Sequence, residues 1–146
     1  MIIPVGSDHA GFKAKEIVKK ILEDNGHMPV DYGTHSEEAV DYADYAVQVA
    51  EAVNNGEYEK GILVCGSGQG VCMTANKFEY IRAGLAWNSE MAELTRRHNN
   101  ANILCLPGRY LNENELTEIV LTWLATDFEG GRHERRINKI HDLTHH

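Results

Sequence analysis

A cysteine stands between an apolar run and three alternating glycines in the segment GILVCGSGQG, residues 61 to 70. At the end of a strand that faces a helix N-terminus, the helix dipole would favour the thiolate of Cys65, and a thiolate there can act as a base. The glycines allow several backbone N–H groups to point inward and stabilise an oxyanion on a substrate carbonyl. Together these groups are suited to enolisation. Cys65 could equally be a buried apolar residue, a common fate of free cysteine, and the loop alone leaves both interpretations open.

Two glycine-rich loops follow apolar runs, GSDHAG at 6–11 and CGSGQG at 65–70, and both carry groups able to move protons. Their spacing excludes several phosphate-binding motifs. Lys13 comes one place too late for the Walker pattern, and the second loop reads G-x-G-x-G instead of the dinucleotide pattern G-x-G-x-x-G. A cysteine phosphatase would need arginine where Val71 stands. The histidines and cysteines form no familiar metal motif, so the sequence predicts proton chemistry on a small anionic substrate.

Short apolar runs alternate with longer segments of helical period. The runs typical of strands are IIPV at 2–5, HMPVDYG at 27–33, GILVC at 61–65, IRAGLA at 81–86 and NILCLP at 102–107. This order predicts an α/β fold, a three-layer sandwich with a parallel sheet of about five strands, as one domain over residues 1–146. Because proline cannot donate to a sheet ladder, we expect Pro4 at the first position of its strand. Ligands of such sheets bind beyond the carboxyl ends of the strands, where both loops lie.

Charge and length limit the function further. The chain has 146 residues and a net charge of −8, which argues against a surface that follows nucleic acid. No apolar segment approaches the roughly 20 residues that cross a bilayer, so no membrane partner is expected. The three cysteines are too few for a disulfide framework. Reduced thiols predict a cytoplasmic protein.

Six segments together resemble one known family. They are GSDHAGF, CGSGQGV with the following ANK, IRAG, RHNNANIL, PGR and EGGRHERRI, in the same order from Ile2 to about Ile140. The resemblance is to the ribose-5-phosphate isomerase B family, which includes galactose-6-phosphate and allose-6-phosphate isomerases. It implies a Rossmann-like α/β/α fold, no metal or organic cofactor, and homodimers or sometimes tetramers whose active sites are shared between subunits.

The resemblance also assigns the proton transfer. Cys65 is expected to move a proton between C1 and C2 of the sugar through a cis-enediolate. The backbone amides expected to hold the negative oxygen belong to Gly66, Ser67, Gly68, Gln69 and Gly70. Ser67 stands where the family usually has threonine. Serine keeps the hydroxyl near the C1 and C2 oxygens but loses the methyl group that limits its rotation.

Ring opening falls to other residues of the family pattern. His98 matches the acid that opens the sugar ring, and Asn99 matches a substrate contact. Both are expected to reach the site from the partner subunit. Asp8 and His9 match residues that bind the sugar and assist ring opening.

Three arginines are candidates for holding the phosphate. Arg132 and Arg136 are four residues apart, so on a helix they project from one face and can grip a phosphate together. Arg109, after the last apolar run, is the third. Without the family match, a solvated helix face paired with Glu134 is the more common explanation of this charge cluster.

Some positions depart from the family pattern and leave alternatives open. Cys72 and Met73 replace smaller or β-branched residues behind the loop, and Asn100 stands where aspartate is frequent. We therefore expect an aldose–ketose isomerase acting on ribose 5-phosphate and ribulose 5-phosphate. The alternatives are a hexose-6-phosphate isomerase of the same family and a non-catalytic module that binds sugar phosphates.

Overall fold

The computed structural model describes residues 1–145, in which strands and helices alternate until two helices close the chain. The strands are β1 (Ile2–Ser7), β2 (Met28–Asp31), β3 (Gly61–Cys65), β4 (Ala83–Leu85) and β5 (Ile103–Pro107). The helices are α1 (Phe12–Asp24), α2 (Tyr42–Asn54), α3 (Gln69–Ala75), α4 (Ser89–Arg97), α5 (Glu113–Ala125) and α6 (Arg132–Thr144). No helix within this part of the chain has the length and apolar character needed to cross a membrane.

All strand pairs are parallel, and the sheet order is β2-β1-β3-β5-β4. The predicted fold class and strand number are confirmed. The chain moves from β1 outward to β2, then crosses to β3 on the other side of β1. This change of direction opens a crevice between the loops that follow β1 and β3, which is where ligands of open α/β sheets bind.

Alternating side chains of the central strands enter two separate apolar layers. Ile62 and Val64 pack in one layer with residues of α1, α4 and α5, including the fully buried Trp123. Leu63 and Cys65 pack in the other layer with residues of α2 and α3. Both faces of the sheet are therefore covered, which explains why the strands read as unbroken apolar runs.

Pro4 is the third residue of β1 and not the first, so that expectation was wrong. It is paired with Val30 of β2, whereas the ladder between β1 and β3 begins one residue later, at Val5. The missing N–H of the proline therefore falls outside the ladder to β3, and the strand tolerates it.

Candidate active site

Cys65 is the last residue of β3 and is only 4% exposed. It packs with Val71 in the layer below α2 and α3. The chain leaves the strand through Gly66, Ser67 and Gly68 and enters α3 at Gln69. The thiol thus lies at the carboxyl edge of the sheet, directly before the glycine-rich loop.

Gly68 brings this loop against the sheet in a conformation that other residues rarely adopt. Its φ is 76°, and a Cβ added there would lie 2.6 Å from Cδ1 of Leu85 and 2.9 Å from the carbonyl carbon of Leu106. A backbone atom cannot move aside as a side chain can, so glycine is required at this position. The close approach holds the loop at the sheet edge beside Cys65.

Ser67 and Arg109 give the loop its polar surroundings. The exposed hydroxyl of Ser67 accepts a hydrogen bond from the amide of Gln69 at 3.3 Å. Arg109 follows β5, and its amide donates to the carbonyl of Gly66 at 3.1 Å. Its guanidinium lies over Gly66, since a Cβ added there would be 3.1 Å from Nη1. A positive charge therefore stands next to the loop that follows the thiol.

Asp8 and His9 approach from the loop after β1. Asp8 is buried, its amide donates to the carbonyl of Val64 at 3.3 Å, and its Oδ1 accepts from the amide of Gly11 at 2.9 Å. Nδ1 of His9 lies 3.1 Å from the amide nitrogen of Val40 and 3.2 Å from its carbonyl oxygen, so the ring is held against the backbone of Val40. The crevice between β1 and β3 thus collects a carboxylate, an imidazole and a thiol.

A second polar group forms around His98, which caps the C-terminus of α4. Its ring stacks on that of His133 in α6, with centroids 4.2 Å apart and an angle of 12° between the planes. Nε2 of His98 lies 4.0 Å from Oε2 of Glu129, which also pairs with Arg97 at 3.1 Å. Asn99 is exposed beside this group. Exposed Arg132 and Arg136 belong to the same helix as His133.

Within one chain, the two groups lie at opposite ends of the strands. α4 starts near the carboxyl ends of the strands, after β4, and runs back along the sheet, so His98 lies near their amino ends. Nearby, the carbonyl of Asn102 accepts from the amide of Gly61, the first residue of β3. Cys65 ends the same strand, about 13 Å further along at ~3.3 Å per residue. One chain therefore does not bring His98 to Cys65.

His133 and Glu129 did not stand out in the sequence, although both belong to the segment that carries the arginines. Burial lowers the pKa of His133, and the nearby charges of His98 and Arg132 lower it further. A neutral His133 can stack on His98 without repelling its charged form. The stack fixes the orientation of the His98 ring, which is what an acid that must meet a substrate oxygen requires.

His98, Glu129 and His133 form the one group of possible metal ligands within residues 1–145, with ligand atoms all within 4.8 Å of one another. Their geometry does not favour a metal centre. The two rings are nearly parallel, so their nitrogen lone pairs do not converge on one point, and Arg97 already pairs with Glu129. The neighbouring arginines favour an anion at this place.

Comparisons with known proteins agree on one family. The family described as Ribose/Galactose Isomerase matches residues 3–140. Ribose-5-phosphate isomerase B of Escherichia coli is 42% identical over 94% of this chain and 93% of its own length. The structure of the Clostridium thermocellum ribose-5-phosphate isomerase B superposes with a TM-score of 0.96 at 45% identity, covering 98% of this chain and 97% of that one.

A third match contains a sugar phosphate. The Mycoplasma genitalium ribose-5-phosphate isomerase B, solved with bound ribulose 5-phosphate, has a TM-score of 0.92 at 42% identity and covers 97% of this chain and 95% of its own. These matches extend over nearly the whole chain, as the resemblance of the six segments implied. The chain belongs to the ribose/galactose isomerase family.

Proposed function

We propose that this protein interconverts ribose 5-phosphate and ribulose 5-phosphate, with Cys65 as the base. The carrying observation is the position of Cys65 at the end of a central strand, directly before a loop that glycine holds against the sheet edge. The bound ribulose 5-phosphate of the M. genitalium relative supports the choice of a pentose phosphate over a hexose phosphate.

The proton transfer follows from this placement. The thiolate of Cys65 removes the proton from C2 of the open-chain aldose, and the carbonyl oxygen at C1 takes up the negative charge. Backbone amides of the loop from Gly66 to Gly70 hold that oxygen, and the exposed hydroxyl of Ser67 adds a further donor. In the resulting cis-enediolate a proton moves from the hydroxyl on C2 to the oxygen on C1. The same thiol then returns the carbon-bound proton to C1, which leaves the carbonyl on C2 and produces the ketose.

Ring opening requires the second polar group. We propose that His98 and Asn99 come from a second copy of the chain, because His98 lies at the other edge of the sheet from Cys65. His98 then acts on the ring oxygen, with Asp8 and His9 of the first copy binding the sugar hydroxyls. His133 and Glu129 position His98 through the ring stack and the 4.0 Å approach of the carboxylate.

The phosphate is assigned to arginines on both sides of this shared site. Arg132 and Arg136 lie one turn apart on α6, in the same segment as His133, so the copy that contributes His98 also contributes them. Arg109 lies over Gly66 and comes from the copy that contributes Cys65. A protein of net charge −8 thus concentrates positive charge where a doubly charged phosphate must bind.

The assembly and compartment are proposed on the same grounds. A homodimer with two shared sites is the smallest assembly that completes each site, and dimers can pair further into tetramers. The three free cysteines are suited to a reducing cytoplasm.

Deuterium exchange tests the proposal directly. In D₂O, wild type is expected to incorporate deuterium into ribose 5-phosphate and to form ribulose 5-phosphate, both followed by NMR. Cys65→Ala should lose both signals, with turnover lower by about 10²–10⁴-fold. Cys72→Ala, a cysteine outside the loop, is the matched control and should exchange normally.

The other outcomes are equally informative. Retained exchange in Cys65→Ala would contradict the cysteine base. Exchange with allose 6-phosphate alone would move the protein to a hexose phosphate. Saturable binding of both sugars without exchange would leave the non-catalytic module.

A further inference from the structure

The turn that follows α4 carries two of the residues assigned to the shared site. We call residues 98–101 the His98 turn. His98 is half-buried and Asn99 is exposed, whereas Ala101 is buried. The stack on His133 orients the imidazole ring, but it does not fix the backbone from which the side chain extends. Other contacts must hold that backbone.

Arg96 makes three of these contacts and is only 7% exposed. Its Nη1 donates to the carbonyl of Ala101 at 2.7 Å and to Oδ1 of Asn100 at 2.8 Å. Its Nε donates to the carbonyl of Thr126, the residue after α5, at 3.1 Å. One guanidinium therefore ties the His98 turn to the end of a neighbouring helix.

The acceptors of these three hydrogen bonds are neutral oxygens, although Arg96 is charged. The guanidinium also lies over the ring of Trp123, with Cζ 6.0 Å from the ring centroid. Burial lowers the pKa of Arg96, and the negative charges of Glu59 and Asp127 oppose this only in part. A buried charge satisfied by neutral oxygens depends on each hydrogen bond that it makes. The turn that supplies two of the acceptors therefore resists displacement.

The backbone of Asn100 adds a second constraint. Its φ is 47°, and it is the one residue other than glycine with a positive φ among residues 1–145. Asparagine tolerates this left-handed conformation, which commonly follows the end of a helix. Nε of Arg82, the residue before β4, donates to the carbonyls of Asn99 and Asn100, both at 3.1 Å. The turn is thus held by Arg82 as well as by Arg96.

We infer that Arg96 is a positioning residue, which holds the His98 turn through Asn100 so that His98 reaches the ring oxygen of the sugar. The stack on His133 sets the orientation of the imidazole ring, and Arg96 sets its place. A misplacement of about 1 Å can slow a catalysed step about 10²-fold. The kinetic consequence rests on the proposed function, whereas the effect of Arg96 on the position of His98 does not.

The two sugars separate ring opening from proton transfer. Ribose 5-phosphate is mainly a closed ring, so His98 must act before Cys65 can. Ribulose 5-phosphate cannot close a five-membered ring, because the oxygen on C5 carries the phosphate. Exchange of its C1 proton in D₂O therefore requires Cys65 but not His98. A misplaced His98 should slow turnover of ribose 5-phosphate and spare this exchange.

Two variants release the turn in different ways. Arg96→Lys keeps the charge but loses the planar fork that reaches three oxygens, and Asn100→Gly keeps the left-handed backbone but loses Oδ1. At saturating sugar, each should turn over ribose 5-phosphate about ten- to hundredfold more slowly and exchange the C1 proton of ribulose 5-phosphate as wild type does.

Two further variants are matched controls. Asn100→Asp keeps the acceptor and brings a negative charge to Arg96, so both rates should be those of wild type. Asp31→Asn weakens an ion pair with Lys15 outside the turn. It controls for lost stability and should keep the wild-type ratio of the two rates.

NMR reads the position of the His98 ring independently of turnover. Stacked aromatic rings shift each other's proton signals upfield, and the signals of His98 are identified by their loss in His98→Asn. In Arg96→Lys and Asn100→Gly these signals should move towards those of an unstacked histidine. In Asn100→Asp they should stay in place.

Unchanged His98 signals in both Arg96→Lys and Asn100→Gly would overturn the inference. So would an equal loss of both rates in these variants, because a general weakening of the fold does not distinguish the two sugars. If wild type itself acts on neither sugar, the proposed function fails, and the His98 signals alone decide whether Arg96 positions the ring.

Discussion

At the scale of single residues, the proposed phosphate-binding role of Arg132 and Arg136 can be tested separately from the proton transfer. Both side chains are exposed, and no ion pair involves either of them within the described part of the chain. A phosphate that they hold is bound equally in the ground state and in the transition state. Their loss should therefore change KM far more than kcat.

Arg136→Ala is expected to raise KM for ribose 5-phosphate about ten- to hundredfold, because a hydrogen bond to a charged group is lost. Ribose without the phosphate should react equally slowly with wild type and variant. Steady-state kinetics with both sugars measure this. Lys20→Ala, which removes an exposed positive charge from α1, serves as the control and should leave KM unchanged. An unchanged KM in Arg136→Ala would remove this residue from the phosphate site.

A substitution at Gly68 tests whether its close approach to Leu106 constrains the loop. Gly68→Ala must adopt a left-handed backbone, at about 1–2 kcal/mol, and must also displace the backbone of Leu106. We expect it to lower both the free energy of unfolding and kcat. Gly26→Ala is the matched control, because Gly26 has φ 81° but nothing within 4 Å of the added Cβ.

The free energy of unfolding of Gly26→Ala should fall only by the cost of the left-handed backbone, and this variant should keep full activity. Urea unfolding measures the change in the free energy of unfolding for both variants, and initial rates measure the change in kcat. Equal losses of stability in the two variants would show that the approach to Leu106 does not constrain the loop.

At the scale of elements, a partly buried charge cluster joins α1 to β2. Nζ of Lys15, whose side chain is fully buried, lies 2.6 Å from Oδ2 of Asp31, and Nζ of Lys19 lies 2.8 Å from the same oxygen. Burial alone would raise the pKa of Asp31, but hydrogen bonds from Lys15, Lys19 and the amide of Gly33 outweigh it and lower that pKa to about 2. Removing the carboxylate would leave the buried Lys15 charge with only Glu16, whose more exposed carboxylate lies 3.2 Å away.

Asp31→Asn is expected to lose on the order of 2 kcal/mol of unfolding free energy at pH 7. A carboxylate whose pKa is lowered in the folded state stabilises it above the unfolded value of 3.8, and this stabilisation disappears as the pH falls through about 2. The difference between wild type and variant should therefore shrink from pH 5 to pH 2. Chemical denaturation at several pH values measures it.

Asp24→Asn provides the comparison for Asp31→Asn. Asp24 pairs with Lys20 at 3.1 Å, but both side chains are more than half exposed. An exposed pair contributes little, so this variant should match wild type across the same pH range. A difference that stays constant from pH 7 to pH 2 in Asp31→Asn would contradict the ionic explanation.

At the scale of the whole molecule, the alternation of apolar runs and helical periods was enough to predict the sheet and the loop that follows Cys65. Such patterns are local, and so is the spacing of the two arginines on α6. The stack of His133 on His98 joins residues far apart in the chain, which no local pattern records. The position of Pro4 inside β1 is possible because the ladder to β3 begins only at Val5, and a local pattern does not record where a ladder begins.

The separation of His98 from Cys65 across the sheet gives the whole molecule its most direct test. Cys65→Ala and His98→Asn are each expected to be inactive alone. When the two variants are unfolded together and refolded at equal concentrations, about half of the dimers should be mixed. Each mixed dimer combines one intact Cys65 with one intact His98 in a single site, so about a quarter of the wild-type activity should return.

A second mixture controls for the first. Asp8 lies on the same side of the site as Cys65, so mixing Cys65→Ala with Asp8→Asn leaves every site with one defect and should restore nothing. Pull-down through an affinity tag carried by only one of the two variants confirms that mixed assemblies form. If dimers form but the first mixture stays inactive, or if the control mixture regains activity, His98 does not cross to the partner and the site is not shared as proposed.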